Sequence, residues 1–151
     1  MKDKKPLKRA QELIPYSRDH HHGLLLGWKI RTGIAKGIGV VRISAYVSWF
    51  YENHLSPHFE LEEKYIFPVL GSDHPLIKRA WGEHQEIRSI MALPLSEAVL
   101  VKLADLLKAH IRFEEREIFG VIQDVATNEE LAMIEQVHQD KFTEHWDEFW
   151  K

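Results

Sequence analysis

The chain contains no cysteine. That absence excludes disulfides, zinc knuckles, thiolate-bound iron–sulfur clusters and cysteine nucleophiles. It also lacks a surplus of positive charge. Lys and Arg number 20 against 23 Asp and Glu, for a formal net charge of −3. Nucleic acid binding rests on a basic face, so no nucleic-acid partner is expected. No apolar run approaches the roughly 20 residues that span a bilayer, so no membrane span is expected either. Met1 to Lys8 is basic, but no apolar stretch follows it, which is not the pattern of a secretory signal. The cytoplasm is the expected location. No Ser–His–Asp arrangement stands out and nothing identifies an organic substrate, which leaves open whether the chain is an enzyme.

What the chain does have is a composition able to fold. It has 151 residues, 44% hydrophobic and 28% charged, which suits one domain with a core of its own. It also has ten histidines, and they are clustered.

Helical periodicity runs throughout, with no sustained strand-like alternation. A first helix is expected over about 17–36, with Ser17 as N-cap and an apolar face through Leu24, Leu25, Trp28 and Thr32. A second is expected over 41–70, with Pro57 kinking or dividing it. A third spans 75–91 and a fourth 96–121. Thr127 and Glu130 have capping-box spacing and open a fifth helix expected to end near Trp150. Short connections between long helices predict an all-α fold, an up-down-up-down antiparallel four-helix bundle over about 15–121 with an additional C-terminal helix over about 127–150. Residues 1–151 are read as a single domain.

Two stretches echo each other: His-Phe-Glu-Leu-Glu at 58–62 and His-Ile-Arg-Phe-Glu at 110–114. Residues four apart share a helix face, about 6 Å between Cβ atoms. His58 with Glu62, and His110 with Glu114, each offer an imidazole nitrogen and a carboxylate in one direction. Carboxylates on apolar stripes cost several kcal/mol unless paired or metal-bound. Two such violations at the same spacing suggest one shared cause. His84 lies on the face of Trp81, Ile87 and Met91, and the run His20-His21-His22 opens the first helix, where His21 best matches the apolar phase and His20 follows. Taken singly, a His-x-x-x-Glu pair is usually a surface pair and an inward histidine a satisfied core residue. Four helices each supplying one near an apolar face point to a two-metal site. Imidazole with carboxylate suits iron, manganese or zinc. Tyr46, Tyr51, Tyr65, Glu63 and Glu115 are candidates to orient the ligands. His138 and His145 read as packing or surface residues of the fifth helix.

The runs Ser-Arg-Asp-His-His-His-Gly-Leu, His-Phe-Glu-Leu-Glu-Glu-Lys-Tyr-Ile-Phe-Pro, Glu-His-Gln-Glu-Ile and His-Ile-Arg-Phe-Glu-Glu-Arg-Glu-Ile-Phe resemble those of bacterial hemerythrin-like (HHE cation-binding) domains. The resemblance implies a non-haem di-iron centre in a four-helix bundle. It implies ligands at His21 or His20, His58, Glu62, His84, His110 and Glu114, with the two glutamates bridging. A small ligand such as O2, NO or peroxide would be bound, sensed or consumed. Two departures stand out. The oxygen carriers have a histidine one turn before the helix-three ligand, where this chain has Ala80. They also use an aspartate five residues after the helix-four histidine, where this chain has Glu114 four after. The resemblance therefore implies a reactive or regulatory site rather than a reversible oxygen carrier. An open metal position is one outcome, and filling of the gap by His20, His54 or His74 is the other. Iron storage or delivery for iron–sulfur repair, and a metal-free helical interaction module, remain as alternatives.

Overall fold

The structure is a computed structural model that describes residues 8–139 and 141–151. The basic start, apart from Lys8, lies outside the described residues. Within them the chain is all-helical, with no strand. A short 3₁₀ turn, Gln11–Leu13, leads into α1, Ile14–Ala35. Pro15 sits in its first turn, where a missing N–H costs nothing. Ser17 is not the expected cap. It lies inside the helix, and its hydroxyl donates to Glu115 at 2.8 Å. Gly37, at φ 74°, ends the helix in the left-handed conformation that glycine adopts without strain.

Helix α2 is a helical run over 40–69, and its regular stretches are separated by wider, π-type turns at Tyr51–Leu55 and Glu62–Ile66. Pro57 neither divides nor ends it. The first wide turn sits immediately before the proline stretch and takes up the lost backbone bond. Helix α3 is Pro75–Met91, capped by the His74 side chain, which accepts from the Leu76 amide. Helix α4 runs over 97–125, opens on the Ser96 cap, and contains one wide turn at Glu114–Ile118. Helix α5 is Asn128–Val137 and carries the expected Thr127/Glu130 capping box.

The fifth helix does not reach Trp150. His138 is extended (φ −87°, ψ 94°), and residues 141–151 form a non-helical strap. Its aromatic residues have helix-like spacing, but Trp146 is left 87% exposed and other residues of the strap find anchors on the bundle. Glu144 accepts from Lys29 at 2.8 Å and from Tyr46, Asp147 pairs with Arg42, and Phe149 packs against Gly33 and Tyr46. Those contacts replace the backbone bonds a helix would make.

The inward face of α1 also differs from the expected one. Leu24 and Trp28 are 37% and 53% exposed, while His20, Gly23, Gly27 and Ile30 point inward. Two of those are glycines, which a hydrophobicity pattern does not register. Gly23 lets α1 approach α4 closely, since a Cβ there would meet the Ile111 side chain at 2.6 Å, whereas one on Gly27 would make ordinary contact with the Ala104 Cβ at 3.7 Å. No helix among the described residues is long and apolar enough to cross a membrane.

The apolar core is in two parts. One is built on Leu26, Ile30, Tyr46, Phe50 and Leu103, the other on Leu13, Tyr16, Phe67, Ile77 and Ile122. Between them lies a layer of buried polar side chains.

Candidate metal centre

That layer holds His20, His58, Glu62, His84, His110 and Glu114, none more than 4% exposed. They come from α1, α2, α3 and α4, and they form two overlapping groups. His20, His58, Glu62 and Glu114 make one; Glu62, His84, His110 and Glu114 make the other. In each, the ligand atoms lie within 4.8 Å of one another, and both groups share the two glutamates. His21 is not among them. It faces outward, one position round the helix from His20, because its apparent apolar phase belonged to the exposed side of α1. His54 and His74 are elsewhere: His54 approaches the Thr143 carbonyl and stacks near Phe142, and His74 caps α3. Ala80 is fully buried in the apolar core beyond the layer.

Every histidine of the layer turns its Nδ1 outward to a carboxylate. His20 pairs with Glu115 (2.5 Å), His58 with Asp19 (2.8 Å), His84 with Glu63 (2.6 Å) and His110 with Glu83 (2.7 Å). An ionised carboxylate only accepts, so each Nδ1 carries a proton, and each Nε2 faces inward, where it can bind a cation once it gives up its own proton. These outer carboxylates are held in turn. Arg88 donates twice to Glu63, Arg79 donates to Glu83, Ser17 and Arg9 donate to Glu115, and His138 donates to Asp19 at 2.7 Å.

The layer repeats itself. An acid precedes a histidine at Asp19-His20 and again at Glu83-His84. A His-x-x-x-Glu-Glu run follows at 58–63 and at 110–115, and a wide helical turn begins at Glu62 and at Glu114. The first glutamate of each run faces inward. The second holds the histidine of the other half: Glu63 takes His84, and Glu115 takes His20.

Apart from the contact of His20 Nε2 with Glu114 Oε1 at 2.9 Å, few of the inward-facing atoms satisfy one another. Both Glu62 oxygens, one Glu114 oxygen, and the Nε2 atoms of His84 and His110 are buried without a hydrogen-bond partner. His58, His84 and His110 bring Nε2 to 3.2 Å from a glutamate oxygen without hydrogen-bond alignment. The Nε2 atoms of His20 and His58 are 3.1 Å apart. His20 Nε2 also lies 2.9 Å from Glu114 Oε1, so a proton or a cation shared among these atoms is what relieves their crowding. Orphaned buried acceptors cost several kcal/mol together. A set of four imidazoles and two shared carboxylates is one a cation satisfies, so the donor chemistry fits metal.

The electrostatics agree. Burial and the Glu114 charge push Glu62 upward, yet His58 and His20 overcome both and hold it below the usual carboxylate range. Burial likewise raises Glu114, but His110 and His20 leave it well below. Burial pushes the His58 imidazole down, but the Glu62 charge and the Asp19 hydrogen bond outweigh it and raise it to about 9. His84 is pushed down by burial and raised to about 11 by Glu114, Glu62 and Glu63. Each half of the layer thus favours positive charge at its centre.

A small cavity of about 20 Å³ reaches the layer from the side of α1, α2 and α4. His20, His58 and His110 line its floor; Gly23, Phe50, Leu55, Leu107 and Ile111 line its walls; and Phe142 of the strap closes it, stacked on His22 at 3.9 Å. That is room for a molecule of water size. His84 is shielded instead, with Phe59 stacked on it at 3.8 Å.

Several of the outer residues went unread in the sequence. Asp19 and Glu83 carried a local signal, an acid directly before each ligand-type histidine. Of the residues expected to orient ligands, Glu63 and Glu115 bond the Nδ1 atoms of His84 and His20, whereas Tyr46 bonds Lys29 and Glu144. His138 is not a surface or packing residue of a fifth helix; it holds Asp19.

A family model described as the hemerythrin HHE cation binding domain matches residues 12–122. Comparison with curated proteins and with solved structures gave no match.

Proposed function

This chain belongs to the hemerythrin HHE cation-binding domain family, and on that premise we propose that the buried layer holds two metal ions, iron in the cell. The observation that carries this reading is the sharing of Glu62 and Glu114 by two four-residue donor groups. One ion would be held by His20 and His58, the other by His84 and His110, with both glutamates bridging. Manganese or zinc would fit the same donors. The short connections between helices and the pairing of donors across them support the up-down bundle order.

Bound there, two iron ions supply redox chemistry and coordination positions open to a small ligand. The protein's own contribution is to orient and select. The four outer carboxylates fix the imidazole tautomers and ring planes. The cavity floored by His20, His58 and His110 would give a small molecule such as O2, NO or peroxide a way to the layer, and its size of about 20 Å³ disfavours larger ones. A donor set of only two histidines and two shared carboxylates per ion fits a centre that reacts or senses better than one that reversibly carries oxygen. Ala80 does not single out one ion for an open position, because the two donor groups are equal in number.

The test is a metal count. Full-length protein loaded anaerobically with Fe(II) is expected to retain two ions per chain and to change its optical spectrum on exposure to O2 or NO. Retention of less than one ion under every loading condition would sink the proposal.

A further inference from the structure

We propose that His138, in the segment that follows the family domain, is a positioning residue of the metal centre. The inference rests on the metal-binding reading above. It starts from a regularity. Each histidine of the layer hands its Nδ1 proton to a carboxylate, and each of those carboxylates takes at least one further donor. Three receive it from within residues 9–88: Glu63 from Arg88, Glu83 from Arg79, and Glu115 from Ser17 and Arg9. The fourth, Asp19, receives it from His138, beyond the residues 12–122 that match the family. The C-terminal extension therefore supplies the one support that the bundle does not.

The geometry is specific. His138 Nε2 and His58 Nδ1 both donate to the same oxygen of Asp19, at 2.7 and 2.8 Å. The His138 side chain is 5% exposed, although Asp19 itself keeps 29% of its side chain open to solvent. Its ring is seated edge-on against Tyr16 at 4.7 Å. The Tyr16 hydroxyl donates to the Ile134 carbonyl at 2.7 Å, one turn before His138, where the end of α5 leaves that carbonyl free. Tyr16 and Asp19, three apart on α1, thus grip the backbone and the side chain of the same helix end. His138 in turn holds Asp19 against His58, and His58 points its Nε2 into the layer. Loss of the His138 donor would leave Asp19 free to rotate and the His58 ring without a fixed plane. Only the ion held by His20 and His58 should feel it.

The experiment is a Co(II) titration of the full-length chain, anaerobic, followed by visible absorption, on wild type, His138→Leu and His138→Gln. Glutamine places its amide nitrogen where the histidine has Nε2 and keeps a donor. Wild type should show two binding steps. His138→Leu should weaken one step about tenfold and leave the other unchanged, and His138→Gln should restore it to within about twofold. Two unchanged steps in His138→Leu would overturn the inference while leaving the metal site standing. So would equal weakening of both steps with no recovery in His138→Gln, which is the signature of lost packing. A wild type that takes up no Co(II) or Fe(II) would instead overturn the metal reading itself, and this inference with it.

Discussion

The half of the metal layer built by α1 and α2 and the half built by α3 and α4 are near copies in chemistry and unlike in their surroundings. Each contributes an acid–histidine dipeptide, a His-x-x-x-Glu-Glu run and a wide helical turn at the inner glutamate. Each also lends its outer glutamate to the other half's histidine. The differences lie one shell out. His84 is covered by Phe59, whereas His20 and His58 of one half and His110 of the other open on the small cavity under Phe142. Glu83 leans on Arg79, a residue at the bundle surface, whereas Asp19 leans on the nearly buried His138. Matched donors set what can be bound. Support differs between the halves, and access differs from histidine to histidine, with His84 alone shielded. The helix-three position occupied by Ala80 adds nothing to this difference, because it lies in the apolar core rather than in the layer.

The largest expected effect comes from what the halves share. Glu62→Gln or Glu114→Gln removes a carboxylate from both donor groups. Either variant should bind neither ion tightly, and metal should no longer raise its melting temperature as ligand linkage requires for wild type. Stoichiometry with thermal denaturation checks it. Unchanged loading would remove the bridging role and favour a metal-free module. A smaller effect separates the halves. His58→Ala and His110→Ala should each reduce loading from two ions to one, and elemental analysis of both variants reads it. Loss of both ions in one variant alone would show that the halves are not equivalent in binding.

The pH response should have opposite signs in the two states. In metal-free protein His58 is raised from 6.5 to about 9 and His84 to about 11. Raised histidines stabilise the fold fully below about 6.5 and lose that contribution as pH climbs through the folded values. The lowered Glu62 and Glu114 stabilise it above their ordinary 4.5 and lose that as pH falls through their folded values. Metal-free stability should therefore fall between pH 7 and 9. Metal must displace the same histidine protons, so affinity should climb over that range, by about tenfold per pH unit for each proton displaced. Chemical denaturation and chelator competition across pH 6–9 measure the two slopes. The smallest effect concerns the strap that closes the cavity. Gly33→Ala would push a Cβ to 2.5 Å from Phe149. It should cost about 1–3 kcal/mol in denaturant titrations while leaving the two-ion count intact.

Much of this was legible from spacing. Inward His and Glu four apart on α2 and on α4 define the shared glutamates, and His84 follows from its apolar neighbours. What was not legible has physical causes. Hydrophobic phase ranks His21 ahead of His20 because the buried stripe of α1 is made partly of Gly23 and Gly27, which a hydrophobicity pattern does not register. Asp19 and Glu83 each precede a ligand-type histidine, but that local signal does not say which Nδ1 they meet, because their partners His58 and His110 lie on other helices. The strap kept helical spacing in its aromatics but found its bonding partners in Lys29, Arg42 and Tyr46, all distant in sequence. His138 was misread for the same reason, because its partner Asp19 lies more than a hundred residues away.

The most direct test of the shared-glutamate account is anomalous diffraction from crystals of the Fe(II)-loaded protein. It should give two iron peaks per chain, one beside His20 and His58 and one beside His84 and His110, with Glu62 and Glu114 touching both. A single peak, or peaks outside this layer, would contradict it.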